Sequence, residues 1–254
     1  MAQTQWMNQE NEFGIHPWRG RDVLVVTLGI FLIFLVAWGI FQLTFAGKEF
    51  TGDRLSIWYS IAIGGLEGVA LIGSAYLFGL RRLKLSWKAV GLRPAARSWL
   101  VLGVLFGLLA IPLAGLIATA VQTLLGMPLT NPQLEFIAPE GFSWIGMIGM
   151  FVMGGLVAPL AEEIFFRGVL YSWLRNTLGV KPGILISGIL FGAVHGEISI
   201  AVATGVMGIA LAWIYEQSES LWPAVIIHAI NNGVKILLLY LLLALDPTLV
   251  LPGL

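Results

Sequence analysis

Apolar runs long enough to cross a bilayer alternate with short polar joints along nearly the whole chain. A span needs about 20 apolar residues. The first clear one is Val23–Ala46, interrupted only by Gln42 and threonines. Ile57–Leu80 follows with a single charge, Glu67, and Trp99–Leu125 is a third run, bent or weakened by Pro112. A fourth begins near Ser143 and runs into Glu162-Glu163, with a kink expected at Pro159. After a helical-looking stretch, Gly168–Asn176, come a shorter fifth segment, Gly183–His195, a sixth, Ile198–Tyr215, and a seventh, Leu221–Leu245. The pattern predicts seven spans to within one, because segments four to six are short and broken by glycine.

Composition agrees with this reading. Of 254 residues 58% are hydrophobic and only 11% charged, where a soluble domain carries roughly 25% charged residues. Mean hydropathy is +0.89. The expected fold class is therefore all-α: a polytopic membrane helical bundle of about seven to eight transmembrane helices, one membrane domain over residues 1–254. The 31 glycines suit closely packed membrane helices. Zero net charge argues against nucleic acid as a partner. The absence of cysteine excludes thiolate metal sites, thiol nucleophiles and disulfides. The first 18 residues are polar, so no cleavable signal peptide is expected.

Orientation follows from the Lys/Arg bias of short loops. Arg81, Arg82, Lys84, Lys88, Arg93 and Arg97 lie between spans two and three, with no acid among them. The next loop has Glu135 and Glu140 and no base. The basic loop is thus read as cytoplasmic, as is the N-terminus. Residues 1–21, with Trp6, Phe13 and Trp18, are read as an interfacial segment, and the C-terminus falls outside.

Polar groups stand out against this background. In Glu163-Ile-Phe-Phe-Arg167 acid and base lie four apart and can pair on one helix face. Glu162 is offset by about 100° and points elsewhere. Phe191-Gly-Ala-Val-His195 puts an aromatic one turn from a histidine, and His228-Ala-Ile-Asn-Asn232 puts an imidazole and an amide on one face. A free carboxylate, two imidazoles and a carboxamide suffice for hydrolysis: the carboxylate activates water, and N–H groups stabilise an oxyanion. Helix-rise counting lets Glu162, His195 and His228 meet in the inner half of the membrane, within reach of cytoplasmic water. Taken singly, a Glu–Arg pair reads as structural glue and a buried histidine as a hydrogen-bonded core residue. Glu67 reads as structural.

Glu162-Glu163-x-x-x-Arg167, Phe191-x-x-x-His195 and His228-x-x-x-Asn232 together resemble the CPBP family of intramembrane proteases. That family includes type II CAAX prenyl endopeptidases and bacterial Abi proteins linked to bacteriocin processing and self-immunity. Thr204 to Gly208, the approach Ser220-Leu-Trp-Pro223, and Trp87-Lys-Ala-Val-Gly-Leu92 resemble it too. The resemblance covers about residues 143–240, read as the catalytic core. It implies an eight-helix or similar fold with a conical, water-accessible cavity, and hydrolysis of membrane-associated, prenylated or leader peptides. The compact chain, with no organelle signal, is read as prokaryotic and seated in the inner membrane. Glu162 would activate water with help from His195, and His228 and Asn232 would line the oxyanion hole. Arg167 would orient Glu163.

No cofactor is expected. A zinc site of Glu162, His195 and His228 is possible in principle, but no His-Glu-x-x-His helix is present, and His16 is remote in the N-terminal segment. The favoured reading is metal-free. Partners are a peptide or protein substrate and the bilayer. The competing class is a non-proteolytic scaffold or immunity factor of the same fold. Transport is disfavoured, because residues 22–125 and 143–245 share only hydropathy and transporters commonly carry internal repeats.

Overall fold

The computed structural model describes residues 18–45 and 56–246. Among them every regular element is a helix and none is a strand. In lipid the backbone has no water to bond, so a span must satisfy its own polar groups, and helices do this. Helix α1 is Gly20–Phe45, α2 is Ile57–Arg81, α3 is Arg97–Leu125 and α4 is the short Gln133–Ile137. Then follow α5, Trp144–Leu178, α6, Val180–Ala193, α7, Ile198–Ser218, and α8, Leu221–Leu245. The chain is a multi-pass integral membrane protein of all-α architecture.

Six of these helices are long and apolar enough to cross a membrane. The segment expected as a fifth span is α6, only 14 residues. At ~1.5 Å per residue it covers about 21 Å, less than the ~30 Å of a hydrocarbon core. Six long helices and one short apolar one thus agree with the seven spans, to within one, that the sequence predicts. The preceding boundary moves: α5 runs for 35 residues through Pro159 and on to Leu178. Pro112 likewise sits inside an unbroken α3.

Pro159 is absorbed by a change of helical register. Met153–Val157 is a π-helical turn, and Ala158 N donates to Met153 O, one residue further back than in an α-helix. The next donor in that register, which would reach the Gly154 carbonyl, is the one proline lacks. A second π-helical stretch, Ile164–Tyr171, begins directly after Glu163. Such widenings occur often at functional positions.

Glycines set the helix spacing. A Cβ on Gly192 of α6 would lie 2.3 Å from the Ala201 carbonyl of α7, and one on Gly188 2.6 Å from Ile209 N. The two backbones therefore touch, the close approach that small residues permit in membranes. Exposed leucines such as Leu35 on α1 and Leu116 on α3 face outward, as lipid-facing positions should.

The Trp87–Val90 turn is a wedge. Gly91, at φ 84°, ends it in a conformation natural to glycine, and its carbonyl accepts from Leu221 N at 2.8 Å, fixing the start of α8. Val90 is buried against Gly168 of α5. Ser220 caps α8 and also donates to the Arg93 carbonyl at 2.7 Å. At the same end Trp18 is buried against Gly79, so this ring, expected at an interface, is part of the core. Trp6, Phe13 and His16 lie outside the described residues.

Candidate active site

α5 carries the two acids. Glu163 points into the bundle with no exposure, and Arg167, equally buried, reaches its Oε1 through Nη1 at 2.8 Å. The four-residue spacing predicts this pair, which survives the π-helical widening. Arg167 Nη2 also donates to the Gly208 carbonyl of α7 at 3.0 Å. Its guanidinium carbon stands 4.4 Å from the centroid of the Phe191 ring, a cation–π contact. Three helices are thus tied at one arginine.

Glu162 points elsewhere, as its offset requires. It faces a cavity of about 530 Å³ whose lining also includes His195, His228 and Asn232. The four residues read from the sequence as carrying chemistry therefore share one cavity. Glu162 Oε2 is buried and has no hydrogen-bond partner among the described residues. The nearest ring nitrogen is His228 Nε2 at 3.7 Å.

Each histidine is oriented by its other nitrogen. His228 Nδ1 lies 3.0 Å from Glu163 Oε1, so a single carboxylate oxygen takes bonds from both Arg167 and His228. A carboxylate accepts, so Nδ1 donates, and Nε2 is left facing the cavity. His195 Nδ1 lies 2.8 Å from the Phe191 carbonyl, which also only accepts, so His195 Nε2 is likewise the free nitrogen. The partner of one nitrogen fixes what the other can do. Phe191 lies edge-on to both imidazoles, at 5.0 Å from His195 and 5.5 Å from His228. His195 sits in a tight joint between α6 and α7. Gly196 turns the chain at φ 79°, and Glu197 caps α7 by accepting from Ile200 N at 2.8 Å.

Asn232 connects the site to the α5 irregularity. Its Nδ2 lies 3.4 Å from the Gly154 carbonyl, the acceptor that Pro159 cannot serve. Asn231, buried beside it, donates to Asn232 Oδ1 at 2.9 Å. Sequence reasoning passed over Asn231, although it directly precedes the motif residue. It also missed Lys235, which lines the same cavity, where a lysine in the middle of an apolar helix was the available signal. Glu67, read as structural, lines the cavity with Glu162.

The cavity lining runs along α5 and α8 from the acids towards Gln133, Phe136 and Ile137 of α4. The basic segment 81–97 is at the opposite end of the bundle, beside the start of α8. For a metal, the donors in kind are Glu162 and the two free Nε2 atoms. Among the described residues, however, no three His, Cys, Asp or Glu side chains are grouped so as to hold an ion.

Residues 144–234 match the family described as Rce1-like, "Type II CAAX prenyl endopeptidase Rce1-like". Over 83 residues the chain is 28% identical to "Putative membrane peptidase YdiL" of Bacillus subtilis (strain 168), covering 33% of this chain and 34% of that protein. Over 79 residues it is 28% identical to "UPF0177 protein YxdF" of Lactococcus lactis subsp. lactis (strain IL1403), covering 31% and 43% respectively. The chain thus spans less than half the length of each of these relatives. No solved structure matches it.

Proposed function

We propose, from this chain's membership of the CPBP family, that it is an intramembrane endopeptidase in which a glutamate-activated water attacks the peptide bond. The family match covers the segment that carries the site, residues 144–234. The observation that carries the reading is the unequal treatment of two adjacent carboxylates. Glu163 is fully buried, and its Oε1 is held by both Arg167 and His228. Glu162 is 13% exposed and lines the cavity, which Glu163 does not. A structural acid pair needs no such asymmetry, whereas a general base needs an oxygen open to water.

In this reading Glu162 removes a proton from water as the water oxygen attacks the substrate carbonyl. His195, its Nδ1–H spent on the Phe191 carbonyl, accepts a hydrogen bond from that water at Nε2 and holds it. The oxyanion is met by Asn232 Nδ2 and by His228 from its Nε2 side, with Nδ1 tied to Glu163. Glu162 then passes its proton to the leaving amine, so charge and protons balance. Glu163, Arg167 and Phe191 position the others. No cofactor enters the scheme.

The substrate is a peptide or protein at the membrane, and the seat is a prokaryotic inner membrane with the basic loop and N-terminus in the cytoplasm. Water and substrate reach the acids along the lining that leads to α4, rather than from the basic end. The test is to reconstitute the full chain in vesicles with a pool of membrane peptides and follow new termini by mass spectrometry. Glu162→Ala should lower cleavage by about 10²–10⁴-fold while leaving the fold intact. Cleavage within a few-fold of the unaltered protein would remove Glu162 from the role of base. A chain that binds peptides and cleaves none would be a scaffold or immunity factor.

A further inference from the structure

Lys235 is the one Lys or Arg among the described residues lining the cavity. No acid among the described residues pairs with it. A lysine within a membrane helix costs at least a few kcal/mol, and such residues normally pair or serve a pathway. Snorkelling along the helix does not explain this one. Lys235 lies ten residues before the end of α8 at Leu245, about 15 Å by helix rise, well beyond the reach of its four-carbon stem. The side chain faces the cavity instead.

Its place relative to the acids is orderly. Lys235 is seven residues past His228 on α8, about 10 Å along the axis, on the α4 side of Asn232. The acids that line the cavity are Glu162 from α5 and Glu67 from α2, and the α4 residues that line it are uncharged. The cavity is therefore polarised, with carboxylates at one level and an ammonium at another.

We propose that Lys235 is a specificity residue that anchors a carboxylate of the bound peptide, a step that rests on the endopeptidase reading. An anion is repelled by the acids at the reacting level and attracted by the ammonium beyond them. A peptide that carries a carboxylate thus settles with its charge at Lys235 and a neutral peptide bond beside Glu162. A charge-assisted bond is among the stronger polar contacts available. The carboxylate is either a free C-terminus or an Asp or Glu side chain.

The test uses the full chain in phosphatidylcholine nanodiscs and short apolar peptides made in matched pairs. One pair differs in a C-terminal carboxylate against a C-terminal amide, the other in an internal Glu against Gln. Binding is read by fluorescence anisotropy on a Glu162→Ala background, and cleavage by mass spectrometry on the unaltered chain. At least one pair should favour the carboxylate by roughly 10- to 100-fold, the range for hydrogen bonds to charged groups. The pair that does so identifies the source. Lys235→Met should erase the preference and Lys235→Arg should keep most of it. Equal binding within both pairs, or a preference that persists in Lys235→Met, overturns the anchor. So does a dependence on added phosphatidylglycerol in place of peptide charge. Binding preference without cleavage of any peptide would sink the endopeptidase reading and leave the anchor standing.

Discussion

Glu163 Oε1 receives both Arg167 Nη1 at 2.8 Å and His228 Nδ1 at 3.0 Å. One buried oxygen thus joins the middle of α5 to α8, and Glu162, its neighbour in sequence, is left to face the cavity. The role of each acid follows from this connection rather than from its residue type.

Arg167→Ala should be the most damaging single change for stability. It leaves the Glu163 carboxylate buried without its cation, and breaking such a pair costs about 3–5 kcal/mol. It also frees the Gly208 carbonyl and the face of Phe191. The measurement is folded yield and thermal unfolding in detergent, where Arg167→Ala should fall far below Glu162→Ala. Equal stability of the two variants would mean that the buried pair holds nothing together.

The two nitrogens of His228 can be probed separately. Asparagine places its amide nitrogen near Nδ1 and preserves the tie to Glu163, whereas glutamine places its nitrogen near Nε2. If Nε2 donates to the oxyanion, His228→Gln should retain roughly ten times the activity of His228→Asn, the worth of about one such bond. The reverse order, with His228→Asn the more active, would make the tie to Glu163 the essential function. Equal and complete loss would make Nε2 a base or a ligand.

The absence of native cysteine makes the topology directly measurable. Single cysteines at Lys84 and at Gln133 should react oppositely with a membrane-impermeant maleimide added to intact cells. By the positive-inside rule Gln133→Cys should label and Lys84→Cys should not. The opposite pattern would place α4, and the end of the cavity it lines, in the cytoplasm.

Metal dependence has its own readout. In the metal-free scheme the purified protein holds substoichiometric zinc and keeps its cleavage activity after prolonged treatment with EDTA or phenanthroline. Loss of cleavage with restoration by zinc, together with stoichiometric bound metal, would recast Glu162 and the two Nε2 atoms as ligands.

Much of this molecule was legible from local pattern alone. Long apolar runs forced helices because lipid offers the backbone no other partner. The four-residue spacing of Glu163 and Arg167 placed them on one face, and the offset of Glu162 sent it to another. These are properties of a helix, readable from neighbours in sequence. The span count is uncertain by one at α6, because a glycine-rich helix of 14 residues reads in hydropathy like part of a crossing. Its true length depends on where α5 stops, and α5 continues through Pro159 by shifting register. What only the tertiary structure decided was who meets whom across helices. His228 Nδ1 turns to Glu163, Asn232 serves the Gly154 carbonyl, Trp18 goes to the core, and Lys235 and Glu67 join the cavity. Those contacts depend on helix rotation and spacing, set by glycine-to-backbone contacts such as Gly192 against Ala201. No residue's own sequence neighbourhood encodes them.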